Sequence, residues 1–147
     1  MASRDKIISI EGEIKKINPK ARNIETIFRP QPLSDINGKR IFMAMTSNKI
    51  IEPLIKEYME NNFGCSIKKI SFNLGNRPAL KKDLEKTNDY DTIATELKAA
   101  SVDVLTDYGL KHKKEIVYIN NIPVIKGSKG VLESELKKIY QKGDSLA

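Results

Sequence analysis

One apolar segment restricts the fold of this chain more than any other feature. Residues 41–45 read Ile-Phe-Met-Ala-Met, with no polar side chain among them. Successive side chains of a β-strand point to opposite faces of the sheet, so a strand of this kind is usually covered on both faces. The preceding Asn37-Gly38 pair is a strong tight-turn signal. The sequence therefore predicts a buried strand over residues 40–46.

The residues after this strand predict a helical crossover. Apolar residues recur with helical spacing over residues 51–59, and Gly64 is typical of a helix C-terminus. Residues 65–74 then read as a strand whose parity slips near Lys68 and Lys69, which indicates a β-bulge. If both strands lie in one sheet, the connection between them is parallel and right-handed.

The remaining segments predict a mixture of strands and helices. Isoleucines of one parity predict a strand over residues 6–17, and a second short strand over residues 24–28 is expected to end before Pro30 and Pro32. Further along, we expect a short helix after Pro78, a longer helix from Asp91 or Thr92 to Tyr108, a hairpin over residues 115–126 around Asn120-Asn121, and a final helix that begins at Ser128 or Gly130.

This order of elements predicts one α+β domain over residues 1–147, with a mixed sheet of about five to six strands and three to four helices. A length of 147 residues is typical of one domain. No apolar run approaches the roughly 20 residues needed to cross a bilayer, and the N-terminus lacks the apolar stretch of a signal peptide. We therefore expect a protein of the cytoplasm, or of a particle assembled inside the cell, without membrane contact.

The scarcity of cysteine and histidine narrows the available chemistry. Cys65 and His112 are the only residues of their types, so a zinc site with four Cys and His ligands is excluded within one chain. A Cys-His nucleophile pair could only be these two, and Cys65 at the start of an apolar strand is typical of a buried, inert thiol. No cofactor and no metal ion are predicted, and binding is favoured over catalysis.

Basic residues form the main candidate binding site. The chain has 26 Lys and Arg against 19 Asp and Glu, a net charge of +7, which suggests a polyanionic partner such as nucleic acid. Because lysine neutralises phosphate as a point charge and base readout favours arginine, we expect non-specific contact with nucleic-acid backbone. An AT-rich genome alone can also produce such a lysine excess. The candidate contacts are Lys68, Lys69, Arg77, Lys81, Lys82, Lys86, Lys111, Lys113 and Lys114.

Acidic residues between two basic blocks form the candidate protein interface. On a helix that starts near Thr92, the side chains of Glu96, Asp103 and Asp107 fall within a narrow arc. Such a stripe is by default a solvated face, and the alternative is a complementary basic surface on a neighbouring molecule. A chain with both an acidic stripe and basic patches suits head-to-tail association. A protein partner or self-association is therefore predicted.

Two weaker patterns complete the set of candidates. Glu11, Glu13 and Lys15 alternate on the predicted first strand, as in metal-dependent nucleases that hold Mg²⁺ beside a lysine; a solvated strand face is the competing interpretation. Residues 127–130 read Gly-Ser-Lys-Gly between a strand and a helix, where an anion could bind. They lack the spacing of a phosphate loop, so a plain turn is favoured.

These observations favour a non-catalytic intracellular binding protein that acts as a subunit of a larger assembly and contacts nucleic-acid backbone through its lysines. The alternative is a purely structural subunit, such as a virion component, without nucleic-acid binding. A small metal-dependent nuclease is the third hypothesis.

Overall fold

The computed structural model describes residues 3–21, 23–97, 100–126 and 131–144. Within them the chain forms five α-helices and five β-strands, and none of these helices is both long and apolar enough to span a membrane. A short 3-10 helix, Lys49–Ile51, precedes the second α-helix. The helices are α1 (Arg4–Ile17), α2 (Glu52–Phe63), α3 (Arg77–Lys86), α4 (Val102–Lys111) and α5 (Val131–Asp144), and the strands are β1 (Thr26–Pro32), β2 (Arg40–Ala44), β3 (Ser66–Ser71), β4 (Thr92–Glu96) and β5 (Glu115–Ile125).

Contacts divide the chain into two compact units. One unit comprises residues 30–122 and contains α2, α3 and α4 with most of the sheet. The other comprises residues 1–29 and 123–147 and contains α1 and α5. That the whole chain forms one domain stays a prediction.

The strands lie in the order β1-β5-β4-β2-β3. Strands β3, β2, β4 and β5 are parallel. β1 is antiparallel to β5, since the Leu33 N–H donates to the Tyr118 carbonyl and the Lys126 N–H donates to the Glu25 carbonyl. β1 runs through both prolines that were expected to end it, and its edge position accommodates them because proline cannot donate to a ladder. The fold is therefore α+β with a mixed sheet, as predicted.

β2 confirms the prediction of a strand covered on both faces. Alternate side chains of residues 41–44 belong to two different core clusters, and all four are fully buried. One cluster includes Ile55 and Met59 of α2, and the other includes Leu84 of α3 and Leu105 of α4. Helix α2 therefore covers one face of the sheet, and α3 and α4 cover the other.

The predicted strand–helix–strand unit is also present. β2 and β3 are parallel, and the helix between them ends at Gly64, whose φ of 64° lies in the left-handed region that glycine adopts readily. The pairing with β2 passes from Ile67 directly to Lys69, so Lys68 is the extra residue of a β-bulge. The bulge places Ile67 and Ile70 in the same core cluster despite their odd spacing.

The long helix predicted from residue 92 to residue 108 is wrong. Residues 92–96 form β4 in the middle of the sheet, and α4 begins only at Val102. Thr92 and Thr95 are buried because β4 is paired on both sides and covered on both faces. In the sequence, these two threonines look like the polar side of an amphipathic helix.

The hairpin predicted over residues 115–126 is wrong as well. These residues belong to the single strand β5, whose first half pairs in parallel with β4 and which also pairs with β1. Asn120 and Asn121 continue the strand at the positions where a turn was expected. Pairing with the neighbouring strand β1 stabilises the extended backbone here more than the turn preference of asparagine opposes it.

The strand predicted over residues 6–17 is a helix, α1. Isoleucine is common in strands, but Ile7, Ile10 and Ile14 also recur at helical spacing. Ser3 caps the helix, since its side chain accepts a hydrogen bond from a backbone N–H of the first turn. Helix capping and helical spacing therefore prevail over the strand preference of the individual residues.

Candidate functional site

The connections that follow β2 and β4 leave the sheet in opposite directions. α2 joins β2 to β3 on one face, whereas α4 joins β4 to β5 on the other. Where two such connections diverge, an open parallel sheet has a crevice at the carboxyl ends of its strands, and ligands of these folds bind there. The residues that follow β2 and end β4 therefore form the candidate site.

Glu96 at the end of β4 is fixed by three hydrogen-bond donors. Its Oε2 accepts from the Thr46 N–H at 3.0 Å and from the Thr46 Oγ1 at 2.7 Å. Its Oε1 accepts from the Asn121 Nδ2 at 3.1 Å. The carboxylate thus connects the segment after β2 with β5 across the carboxyl edge of the sheet, and its orientation is set by both neighbours.

Two buried hydroxyl groups at this edge have no hydrogen-bond partner among the described residues, Ser47 Oγ and Thr95 Oγ1. Thr95 is fully buried and lies opposite Ala44 in the pairing of β4 with β2. Leaving a buried hydroxyl unpaired costs about 1–3 kcal/mol, so such groups are uncommon in folded proteins. Both buried hydroxyls therefore have unused hydrogen-bonding capacity at the carboxyl edge of the sheet.

A separate polar cluster lies at the carboxyl end of β3. The Asp83 Oδ2 accepts from Ser71 Oγ at 2.7 Å and from Asn73 Nδ2 at 2.8 Å. Partial burial alone would raise the pKa of this carboxyl, but the two hydrogen bonds and the nearby Lys69 and Lys86 outweigh it, so the pKa is lowered. This cluster uses its polar atoms internally and attaches α3 to the sheet.

The basic residues predicted to bind nucleic acid lie on several elements, and some of them pair with groups of the same chain. Lys68 and Lys114 lie at the amino edge of the sheet, the end opposite to the crevice. The Lys68 Nζ is 3.5 Å from the Asp89 carboxylate, and the Lys114 Nζ donates to a carbonyl of the same loop at 2.5 Å. Lys82 on α3 and Lys113 after α4 are exposed. The contacts of Lys68 and Lys114 therefore stabilise the loop before β4.

Other predicted residues face each other across a cleft of about 600 Å³ between α3 and α4. Arg77 and Lys81 of α3 line it together with Asp103, Asp107 and Lys111 of α4. The Arg77 Nη2 is 2.6 Å and 2.7 Å from the two carboxylate oxygens of Asp103. The basic residues that complement Asp103 and Asp107 are therefore in the same chain. Glu96, the third acidic residue of the predicted interface, ends β4 and does not line this cleft.

The sequence did not reveal most of the candidate site. Thr46 and Ser47 follow the apolar strand β2, and polar residues at that position are the signal that could have found them. Thr95 and Asn121 were assigned to a helix and a turn, so their place at the edge of the sheet was not recognised. Glu96 was assigned to a protein interface on the same mistaken helix.

The acidic residues near the N-terminus do not form a metal site. Glu11, Glu13 and Lys15 lie on α1, where alternate residues do not share a face, and Glu13 pairs with Lys16 at 2.7 Å. In the part of the chain that the structure describes, no group of three or more His, Cys, Asp and Glu side chains could hold a metal ion. Residues 127–130 lie outside the described residues.

Cys65 and His112 lie in different environments. Cys65 is buried, its thiol lies 3.6 Å from the Met59 carbonyl, and burial raises its pKa. His112 follows α4 and stacks on Tyr108 with the ring centroids 4.1 Å apart. Cys65 is thus the buried thiol that its position predicted.

The chain is similar to a group of named enzymes. A family model described as the cyclic 2,3-diphosphoglycerate synthetase C-terminal domain matches residues 32–122, almost the whole of the compact unit 30–122. The cyclic 2,3-diphosphoglycerate synthetase of Methanosphaera stadtmanae is 41% identical over 148 aligned residues, which cover 99% of this chain and 32% of that protein. The synthetases of Methanothermobacter thermautotrophicus (38% over 144 residues; 97% and 31%) and Rubrobacter xylanophilus (31% over 132 residues; 90% and 30%) are also similar. The chain therefore spans about a third of the length of these curated relatives.

These similarities correct the functional predictions. The relatives are named as synthetases, so the prediction of a non-catalytic assembly subunit that binds nucleic acid is wrong, as are its structural and virion alternatives. The inference from net charge to nucleic acid failed because a lysine excess does not distinguish one anionic partner from another. The family model matches more than half of the chain, and the chain belongs to the cyclic 2,3-diphosphoglycerate synthetase C-terminal domain family.

Proposed function

We propose that this chain acts as the C-terminal domain of a cyclic 2,3-diphosphoglycerate synthetase and that the crevice after β2 and β4 contacts the diphosphoglycerate. The observation that carries the proposal is the coincidence of the family match, residues 32–122, with a compact unit that has its own sheet crevice. The cytoplasmic location expected from the sequence is part of this proposal.

The charge of the chain supports an anionic ligand. The compound in the relatives' name carries two phosphate groups, and a net charge of +7 attracts such a molecule. Lys49, which opens the 3-10 helix just after β2, is exposed on the connection that borders the crevice. This lysine supplies positive charge two residues after Ser47 in the chain.

Each polar residue of the crevice has a separate role in the proposal. The Ser47 and Thr95 hydroxyls can each donate a hydrogen bond to a phosphate oxygen. Glu96 is a positioning residue, because a carboxylate repels phosphate but can hold the Thr46 backbone and the Asn121 amide in place.

An exchange of segments tests the proposed function in an intact enzyme. The part of the Methanosphaera synthetase that matches this chain is replaced by this chain, and formation of cyclic 2,3-diphosphoglycerate is followed by ³¹P NMR under conditions in which the unmodified relative forms it. We expect the exchanged enzyme to make the product. An exchanged enzyme that folds but makes none would overturn the proposal.

Substitutions of two threonines of β4, Thr95 and Thr92, form a matched pair that tests whether the crevice takes part in the reaction. In the exchanged enzyme, Thr95→Val should lower the rate about tenfold, which corresponds to one lost hydrogen bond of about 1.4 kcal/mol. Thr92→Val is the control, because the Thr92 hydroxyl already donates to Asp91 at 3.0 Å. Equal rates for Thr95→Val and the unchanged chain would remove the crevice from the proposal and leave the family role intact.

NMR of the isolated chain locates the ligand. With cyclic 2,3-diphosphoglycerate added to the ¹⁵N-labelled chain, we expect the largest shift changes at the backbone amides of Thr46, Ser47 and Glu96. Changes confined to Lys81 and Lys111 would assign binding to the cleft between α3 and α4 instead.

A further inference from the structure

Helix α1 presents an apolar stripe that the described residues leave at least partly exposed. Ile7, Ile10, Ile14 and Ile17 recur at helical spacing on one side of the helix. No residue of α1 is buried, and the exposed fractions of Ile10 and Ile17 are 48% and 87%. An isolated helix of 14 residues is only marginally stable in water, so packing of an apolar face is needed to hold it.

The relatives indicate what covers this stripe. α1 lies outside the family match at residues 32–122, but the alignment with the Methanosphaera synthetase extends over 99% of this chain. The matched family is a C-terminal domain, so the remaining two thirds of that relative lie on the N-terminal side of the segment. The counterpart of residues 4–17 therefore lies between that larger part and the family-matched segment of the relative.

We infer that the isoleucine stripe of α1 docks onto the N-terminal part of a cyclic 2,3-diphosphoglycerate synthetase. This inference rests on the proposed function. The occupant must present an apolar groove, because the stripe offers four isoleucines and no polar group at its centre.

Hydrogen exchange in the exchanged enzyme tests the docking. We expect the amides of residues 4–17 to exchange at least about tenfold more slowly in the exchanged enzyme than in this chain alone, because packing suppresses local opening of the helix. The double variant Ile10→Glu/Ile17→Glu should lose this protection. Both side chains are exposed in this chain alone, so the substitutions should leave its fold intact, which circular dichroism checks.

Leu110→Glu is the control, because it also replaces an exposed apolar side chain by glutamate, at a position that is 71% exposed at the end of α4. It should keep the protection of residues 4–17. Equal exchange of these amides with and without the N-terminal part would overturn the inference. Protection in the isolated chain that rises with protein concentration would also overturn it, since a second copy of this chain would then cover the stripe.

Product formation separates the two proposals. Synthesis of cyclic 2,3-diphosphoglycerate by an exchanged enzyme whose α1 amides remain unprotected would refute the docking and leave the proposed function in place. Protection without synthesis would support the docking and refute the proposed function.

Discussion

Thr46 holds one carboxylate oxygen of Glu96 with two donors, its backbone N–H at 3.0 Å and its hydroxyl at 2.7 Å. The contact joins the ends of two neighbouring parallel strands at the point where their connections diverge. Because both groups are only partly removed from water, the contact orients the carboxylate more than it stabilises the fold.

Thr46→Val should lower the free energy of unfolding by about 1 kcal/mol, since it removes the hydroxyl bond and keeps the backbone bond. Urea unfolding with an unchanged m-value measures this loss. Thr46→Ser keeps the hydroxyl and is expected to lie close to the unchanged chain. An unchanged free energy of unfolding in Thr46→Val together with a loss in Thr46→Ser would show that the methyl group matters and the hydroxyl bond does not.

Thr95→Val and Thr92→Val should change stability differently, although both replace a buried threonine of β4 by a side chain of the same shape. The Thr95 hydroxyl has no partner among the described residues, so removing it should leave stability unchanged or raise it. The Thr92 hydroxyl donates to Asp91, so its removal should cost about 1 kcal/mol. Thermal unfolding of the two variants compares them, and a clear loss for Thr95→Val would contradict the assignment.

Leu105→Ala should destabilise the chain by about 2–5 kcal/mol, because Leu105 is fully buried in the cluster beneath α3 and α4. Leu110→Ala on the same helix should change stability by less than about 0.5 kcal/mol, because Leu110 is exposed. Similar small effects at both leucines would contradict the observed helix.

Asp83→Asn should weaken the dependence of stability on pH in acid. The pKa of Asp83 is lowered in the folded chain, where the opposing effect of burial is outweighed by hydrogen bonds from Ser71 and Asn73. Its contribution to stability is therefore complete above the unfolded pKa of about 3.9 and is lost as the pH falls through the lower folded pKa. Urea unfolding between pH 7 and pH 2 should give a shallower acid slope for Asp83→Asn, and parallel curves would refute the role of this carboxylate.

Part of the fold followed directly from local patterns. The apolar segment at residues 41–45, the amphipathic helix before Gly64 and the parity slip at Lys68 predicted β2, α2 and the bulge of β3. These features are local because a strand covered on both faces and a helix with one apolar face each have a recognisable spacing. Residues 6–17 were ambiguous, since the same isoleucines fit a strand and a helix.

The sequence by itself determined the fold class, the buried strand β2 with its helical crossover, and the scarcity of Cys and His ligands. The tertiary structure alone decided that residues 92–96 form a strand, because only pairing on both sides explains two buried threonines there. It also brought Thr46 to Glu96, and Arg77 to Asp103, across long separations in the chain. Such contacts depend on strand order and on which face each helix covers. The spacing of neighbouring residues predicts neither property.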